Sequence, residues 1–174
     1  GARYISTTST DIPNSDFQPR EWVNYYNDKQ ISENSTLDLE LDEFPGVTFY
    51  WNAASVIATS EEGEKELLFG MPIWNVYLAD LNGDTFPEFC ATISFGSGII
   101  DNRILVYDYV NNKLYDLSDR MIYDYVLSLK DGQIVVTQYE YRSSVERGIG
   151  SLGIVEGELV LYGIDRTKPT KGEE

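Results

Sequence analysis

Residues 73–95 read Ile73-Trp74-Asn75-Val76-Tyr77-Leu78-Ala79, then Asp80-Leu81-Asn82-Gly83-Asp84-Thr85-Phe86-Pro87-Glu88, then Phe89-Cys90-Ala91-Thr92-Ile93-Ser94-Phe95. The two outer runs are short, rich in aromatic and β-branched residues, and separated by a polar loop, a pattern that predicts two strands. The loop carries chemistry as well as a turn. It sets Asp80, Asn82, Asp84 and Glu88 at alternating positions, and a hard divalent cation such as calcium takes six to eight oxygens at roughly 2.3–2.6 Å. Side chains at positions 1, 3, 5 and 9 of a tight loop, with the carbonyl at position 7, converge on one point. The candidate ligands are therefore Asp80, Asn82, Asp84, Glu88 and the backbone oxygen of Phe86, and the candidate cofactor is Ca2+. A plain hairpin is the other reading, because Asn82-Gly83 is by itself a two-residue turn signal. Crowding favours the cation, since two carboxylates about 4–5 Å apart repel by about 3–4 kcal/mol at an effective dielectric near 20.

The pattern D-x-N-G-D-x-x-P-E, followed by apolar residues, resembles the calcium loops of FG-GAP and VCBS repeats. That resemblance implies a β-rich, extracellular protein. An EF-hand does not fit, because position 12 falls on Ala91, which offers no carboxylate. One departure from the repeat pattern falls at position 6, where such loops carry Gly and the backbone turns through positive φ. Here the residue is Thr85, and a β-branched side chain is strained in that conformation.

Length and composition set the frame. A chain of 174 residues is long enough for one domain with a substantial core. Aromatics reach 13%, with 13 Tyr, a bias toward strands. The formal charge is −16, from 29 acidic and 13 basic residues, which argues against nucleic acid and anionic membrane as partners because both require a basic face. Histidine is absent, so imidazole bases, Ser-His and Cys-His dyads and His-based zinc sites are excluded. Cys90 is the single cysteine; an internal disulfide is impossible, and its apolar setting predicts a small buried core residue. No apolar run reaches the length of a membrane helix. The chain opens Gly1-Ala2-Arg3 without Met, which reads as a sequence whose targeting segment lies upstream.

Working outward, residues 1–18 are Ser/Thr-rich and predict a flexible leader or linker. Pro19-Arg20-Glu21-Trp22-Val23-Asn24-Tyr25-Tyr26 predicts one short helix, with Asp16 as N-cap and Trp22, Val23 and Tyr26 on one face. From Leu37 the period changes to two: Leu37, Leu39 and Leu41 alternate with Asp38, Glu40 and Asp42, a half-buried strand. Further strands are expected over residues 47–51, 55–59 and 67–69. Gly96-Ser97-Gly98 reads as a connection. Hairpins follow at residues 103–117, 123–139 and 152–162, turning at Asn111-Asn112, Asp131-Gly132 and Glu156-Gly157. Residues 166–174 form a polar tail. The expectation is one all-β domain over residues 19–165, with nine or ten strands in an antiparallel meander or open propeller-like sheet. A two-sheet sandwich is the alternative.

Three functional classes remain. A broader resemblance spans residues 43–140 and rests on Glu43-Phe44-Pro45-Gly46-Val47-Thr48-Phe49, Gly70-Met71-Pro72-Ile73-Trp74-Asn75-Val76-Tyr77, Asp80-Leu81-Asn82-Gly83-Asp84, Gly96-Ser97-Gly98-Ile99-Ile100-Asp101 and Tyr107-Asp108-Tyr109. These segments look like the extracytoplasmic C-terminal region of BlaR1-like M56 peptidases of gut Firmicutes. The resemblance implies a non-catalytic sensing or interaction domain, extracellular or at the cell surface, tethered through its N-terminus and facing an unknown ligand or protein partner. It does not imply the protease, whose zinc motif needs two histidines. The second class is a carbohydrate-binding module using Trp51, Trp74 and Tyr50 as a stacking platform. The third is a carboxylate glycoside hydrolase drawing on Asp101, Asp108, Asp119 and Asp124.

Overall fold

The computed structural model describes residues 2–5, 13–95 and 101–165. Among them are fourteen strands and no helix: β1 (Arg3–Ile5), β2 (Arg20–Asn24), β3 (Leu37–Glu40), β4 (Thr48–Trp51), β5 (Ser55–Ser60), β6 (Gly63–Phe69), β7 (Ile73–Ala79), β8 (Glu88–Phe95), β9 (Asp101–Asp108), β10 (Lys113–Leu117), β11 (Tyr123–Lys130), β12 (Gln133–Glu140), β13 (Glu146–Val155) and β14 (Glu158–Tyr162). No helix there is long and apolar enough to cross a membrane. The all-β expectation holds. The strands form three sheets, ordered β3-β4-β5-β6, β10-β9-β8-β7-β2 and β1-β14-β13-β12-β11. Three four-stranded antiparallel meanders thus follow one another along the chain, and the two N-terminal strands are added to the edges of the second and third.

Side-chain parity explains the layering. In the central sheet, Val76, Leu78, Phe89, Ala91, Leu105 and Tyr107 pack with Phe49, Trp51, Val56 and Leu68 of the first sheet. Their neighbours Tyr77, Ala79, Cys90, Ile104 and Val106 pack with Tyr125, Leu127, Val136, Leu159 and Leu161 of the third. A sheet covered on both faces needs apolar residues at every position, so β8 is buried along nearly its whole length. The outer strand β3, covered on one face, alternates half-buried Leu37 and Leu39 with exposed Asp38 and Glu40.

The predicted N-terminal helix is corrected to β2. Asn24 pairs with Asn75 and Glu21 with Tyr77, and a bulge between Glu21 and Val23 inserts Trp22 as an extra residue. The bulge breaks the period of two, so the apolar residues fall at i, i+1 and i+4 as they do on a helix. The exposed edge of β7, which needs a partner for its backbone, decides the conformation. The predicted leader is partly structured, because Arg3–Ile5 joins β14 in parallel, Arg3 beside Val160. Residues 6–12, the Gly96-Ser97-Gly98 connection and the tail at 166–174 lie outside the described residues. Two hairpins turn at the expected residue pairs, Lys130 pairing with Gln133 around Asp131-Gly132 and Val155 with Glu158 around Glu156-Gly157, all four turn residues at positive φ, while the β9–β10 connection spans residues 109–112.

Candidate metal centre

The acidic loop joins β7 to β8 at one end of the central sheet, and local hydrogen bonding shapes it. Asp80 Oδ1 accepts the N–H groups of Gly83 (2.9 Å) and Asp84 (3.2 Å), and its Oδ2 accepts that of Thr85 (2.8 Å). The Ser15 hydroxyl also donates to Asp80. Asp84 Oδ1 accepts from Phe86 N–H at 2.9 Å, and Asn82 Oδ1 accepts from Asp84 N–H at 3.1 Å. Carboxylates collecting backbone donors in this way hold a tight turn without regular secondary structure. The turn passes through Thr85 at φ +73°, the left-handed conformation expected of position 6.

This fold brings Asp80, Asp84 and Glu88 together. One carboxylate oxygen from each lies within 4.8 Å of the others. Glu88 is fully buried. Its Oε1 accepts Leu81 N–H at 2.7 Å, while its Oε2 is buried with no hydrogen-bond partner. Burial pushes the Glu88 carboxyl up to about 9, and the charges of Asp108, Asp84 and Asp80 add to the shift against the opposing Leu81 hydrogen bond. Burial likewise raises Asp84, and Asp80 contributes further. A cluster of carboxyls with one buried oxygen left unpaired is matched to a hard cation. Of the two other predicted ligands, Asn82 spends its amide oxygen on Asp84, and Phe86 packs its ring against Phe44 at 5.7 Å between centroids.

Asp108, missed as part of this site, adds to its negative field. It is 1% exposed and accepts from Asn111 N–H (3.0 Å) and Nδ2 (2.7 Å). The loop is also tied to the third sheet, where Ile154 N–H donates to Leu81 C=O at 2.7 Å.

The other predicted constellations do not assemble. Trp51 is wholly buried, Tyr50 lies on the opposite side of β4, and Trp74 is stacked beneath Tyr26 at 4.7 Å. Asp101 is held by Arg103, Asp119 by the Tyr125 hydroxyl, and Asp124 by the N–H groups of Asn102 and Arg142. Cys90 is fully buried, as expected, and burial raises its thiol well above the ordinary value. No protein-family model matches the chain, and no curated protein or solved structure matches it.

Proposed function

We propose that this chain is a non-catalytic sensing or interaction domain that works outside the cytoplasm, its central loop braced by one calcium ion. Asp80, Asp84 and Glu88 are the core ligands; Asn82, whose amide oxygen keeps a second lone pair beside the one given to Asp84 N–H, and the Phe86 carbonyl are the further candidates. The carrying observation is Glu88, a fully buried carboxyl with an unpartnered oxygen facing two more carboxylates. An all-oxygen donor set favours calcium or magnesium over zinc or copper, and a shell drawn largely from protein oxygens favours calcium, because magnesium demands near-octahedral geometry and keeps its waters. A brace accounts for the position better than a reaction does, since the loop joins the central sheet to β13 through Leu81 and to the N-terminal segment through Ser15.

Three open sheets stacked face to face are consistent with the sandwich alternative, extended by a third layer, and the run of four-stranded meanders keeps the propeller-like form as the second reading. Calorimetric titration of the chelated protein with calcium tests the metal site, and one ion per chain is expected; absence of binding at millimolar calcium removes the brace. The M56 relationship has a separate test. The reading frame around this chain is expected to carry upstream membrane helices and an H-E-x-x-H segment, and without them that relationship fails.

A further inference from the structure

A cavity of about 660 Å³ opens between two sheet edges, β2 of the central sheet and β11 of the third. It shares no residue with the acidic loop. Its volume is in the range of small-molecule sites. Glu21 stands directly across the β2–β7 pair from Tyr77. Tyr77 is 2% exposed and lines the cavity. Burial pushes this hydroxyl up to about 12, with Glu21 as the second cause. Asp124, Tyr26 and Tyr139 form a second polar group in the same cavity. Tyr26 is raised first by burial, then by the charges of Asp124 and Tyr139. Its ring is backed by Trp74, with the planes 7° apart.

The lining contains no Lys or Arg. Glu21 and Asp124 form no ion pair among the described residues; their hydrogen-bond partners are the Asn24 amide and the main-chain N–H groups of Asn102 and Arg142. Val126, Leu127 and Leu129 supply apolar wall. We propose that this cleft binds an aliphatic amine, its ammonium groups held by Glu21 with Tyr77 and by Asp124 with Tyr26, and its methylenes lying along β11. Phenol rings and carboxylates without a competing cation attract an ammonium by charge and by cation–π contact, and a chain carrying −16 draws cations toward it.

The test is calorimetry with 1,4-diaminobutane, butylamine and cellobiose at two salt concentrations. The diamine is expected to bind one per chain, more tightly than butylamine and more weakly at high salt. Glu21→Gln and Tyr77→Phe, both mild enough to fold, are expected to weaken it about tenfold; Glu62→Gln, in the exposed turn between β5 and β6, is expected to leave it unchanged. Absence of diamine binding at millimolar concentration overturns the proposal. An equal loss in Glu62→Gln also overturns it, by showing diffuse charge attraction, and so does cellobiose binding in place of the diamine.

Discussion

Glu88 and Asp108 each lie one residue beyond Phe89–Tyr107, the end pair of the β8–β9 ladder; both residues are buried, and the Asp108 charge acts on the Glu88 carboxyl. Like charges directly across a strand pair destabilise a sheet. The two sit close together because Asp108 is satisfied by Asn111 and burial raises the Glu88 carboxyl to about 9, which favours its neutral form. A cation bound at the proposed site would favour the ionised form of Glu88 and compensate its charge, which would couple that site to the core.

Calcium is therefore expected to stabilise the folded chain. At 100 times its dissociation constant a ligand adds about 2.7 kcal/mol, roughly 5–10 °C in melting temperature for a chain of this size. Glu88→Gln imitates the protonated carboxyl, so the chelated variant is expected to melt close to the parent or above it, while losing most of the calcium shift. Scanning calorimetry of both proteins with calcium and with chelator decides the point. A variant that keeps the full calcium shift excludes Glu88 as a ligand.

The calcium effect is expected to grow with pH. Without metal, the folded Glu88 carboxyl sits at about 9 against an ordinary 4.5, so the native state holds a proton that the unfolded chain has lost. That contribution to stability is fully present below pH 4.5 and is lost as pH rises through 9, with a slope of at most about 1.4 kcal/mol per pH unit. Calcium displaces the proton, so its stabilisation increases over the same window and binding releases protons. Binding heats measured in buffers of different ionisation enthalpy report the release, and heats independent of the buffer exclude it.

Thr85 at φ +73° carries strain that glycine would not. A β-branched residue in this region costs about 1–3 kcal/mol, offset in a glycine variant by about 1 kcal/mol of backbone entropy. Thr85→Gly is expected to raise stability by about 1 kcal/mol and to tighten calcium binding, because the loop no longer has to be forced into its turn. A thermal melt and a calcium titration check both; a lower melting temperature would mean that the threonine side chain makes a contact worth more than its strain.

What the sequence made legible follows from where each signal is local. The alternation at Leu37 to Leu41, the hairpin turns at Asp131-Gly132 and Glu156-Gly157, and the loop spacing all depend on neighbours in the chain, and the structure has them in place. The bulge at Trp22 disguised β2 as a helix. Gly148 and Gly150 disguised the first half of β13, since glycine weakens a strand pattern. The second is there for contact: a Cβ at Gly150 would lie 2.3 Å from Tyr162 C=O. Asp108 looked like one scattered acid among many, because only the fold brings its charge to bear on Glu88. The cavity between β2 and β11 was invisible for the same reason, its walls coming from strands about a hundred residues apart.

The junction between the central and third sheets gives the last prediction. Leu127, on the edge strand β11, turns its backbone toward the central sheet, where its C=O accepts from Asn75 Nδ2 at 3.0 Å and its N–H donates to Thr92 Oγ1 at 2.9 Å. A bulge between Ile73 and Asn75 leaves Thr92 N–H to donate to Asn75 Oδ1 at 2.9 Å. Asn75 and Thr92 are nearly or fully buried, so each group left unpaired costs about 1–3 kcal/mol. Asn75→Ala strands two of them, Leu127 C=O and Thr92 N–H, and is expected to destabilise by about 2–4 kcal/mol, with faster exchange of the Thr92 amide. Thr92→Val strands Leu127 N–H. Because both substitutions act on one peptide segment, the double mutant is expected to lose less than the sum, with a coupling of about 0.5–3 kcal/mol. Chemical denaturation of the four proteins measures it, and strict additivity would mean that apolar packing alone holds β11 against the central sheet.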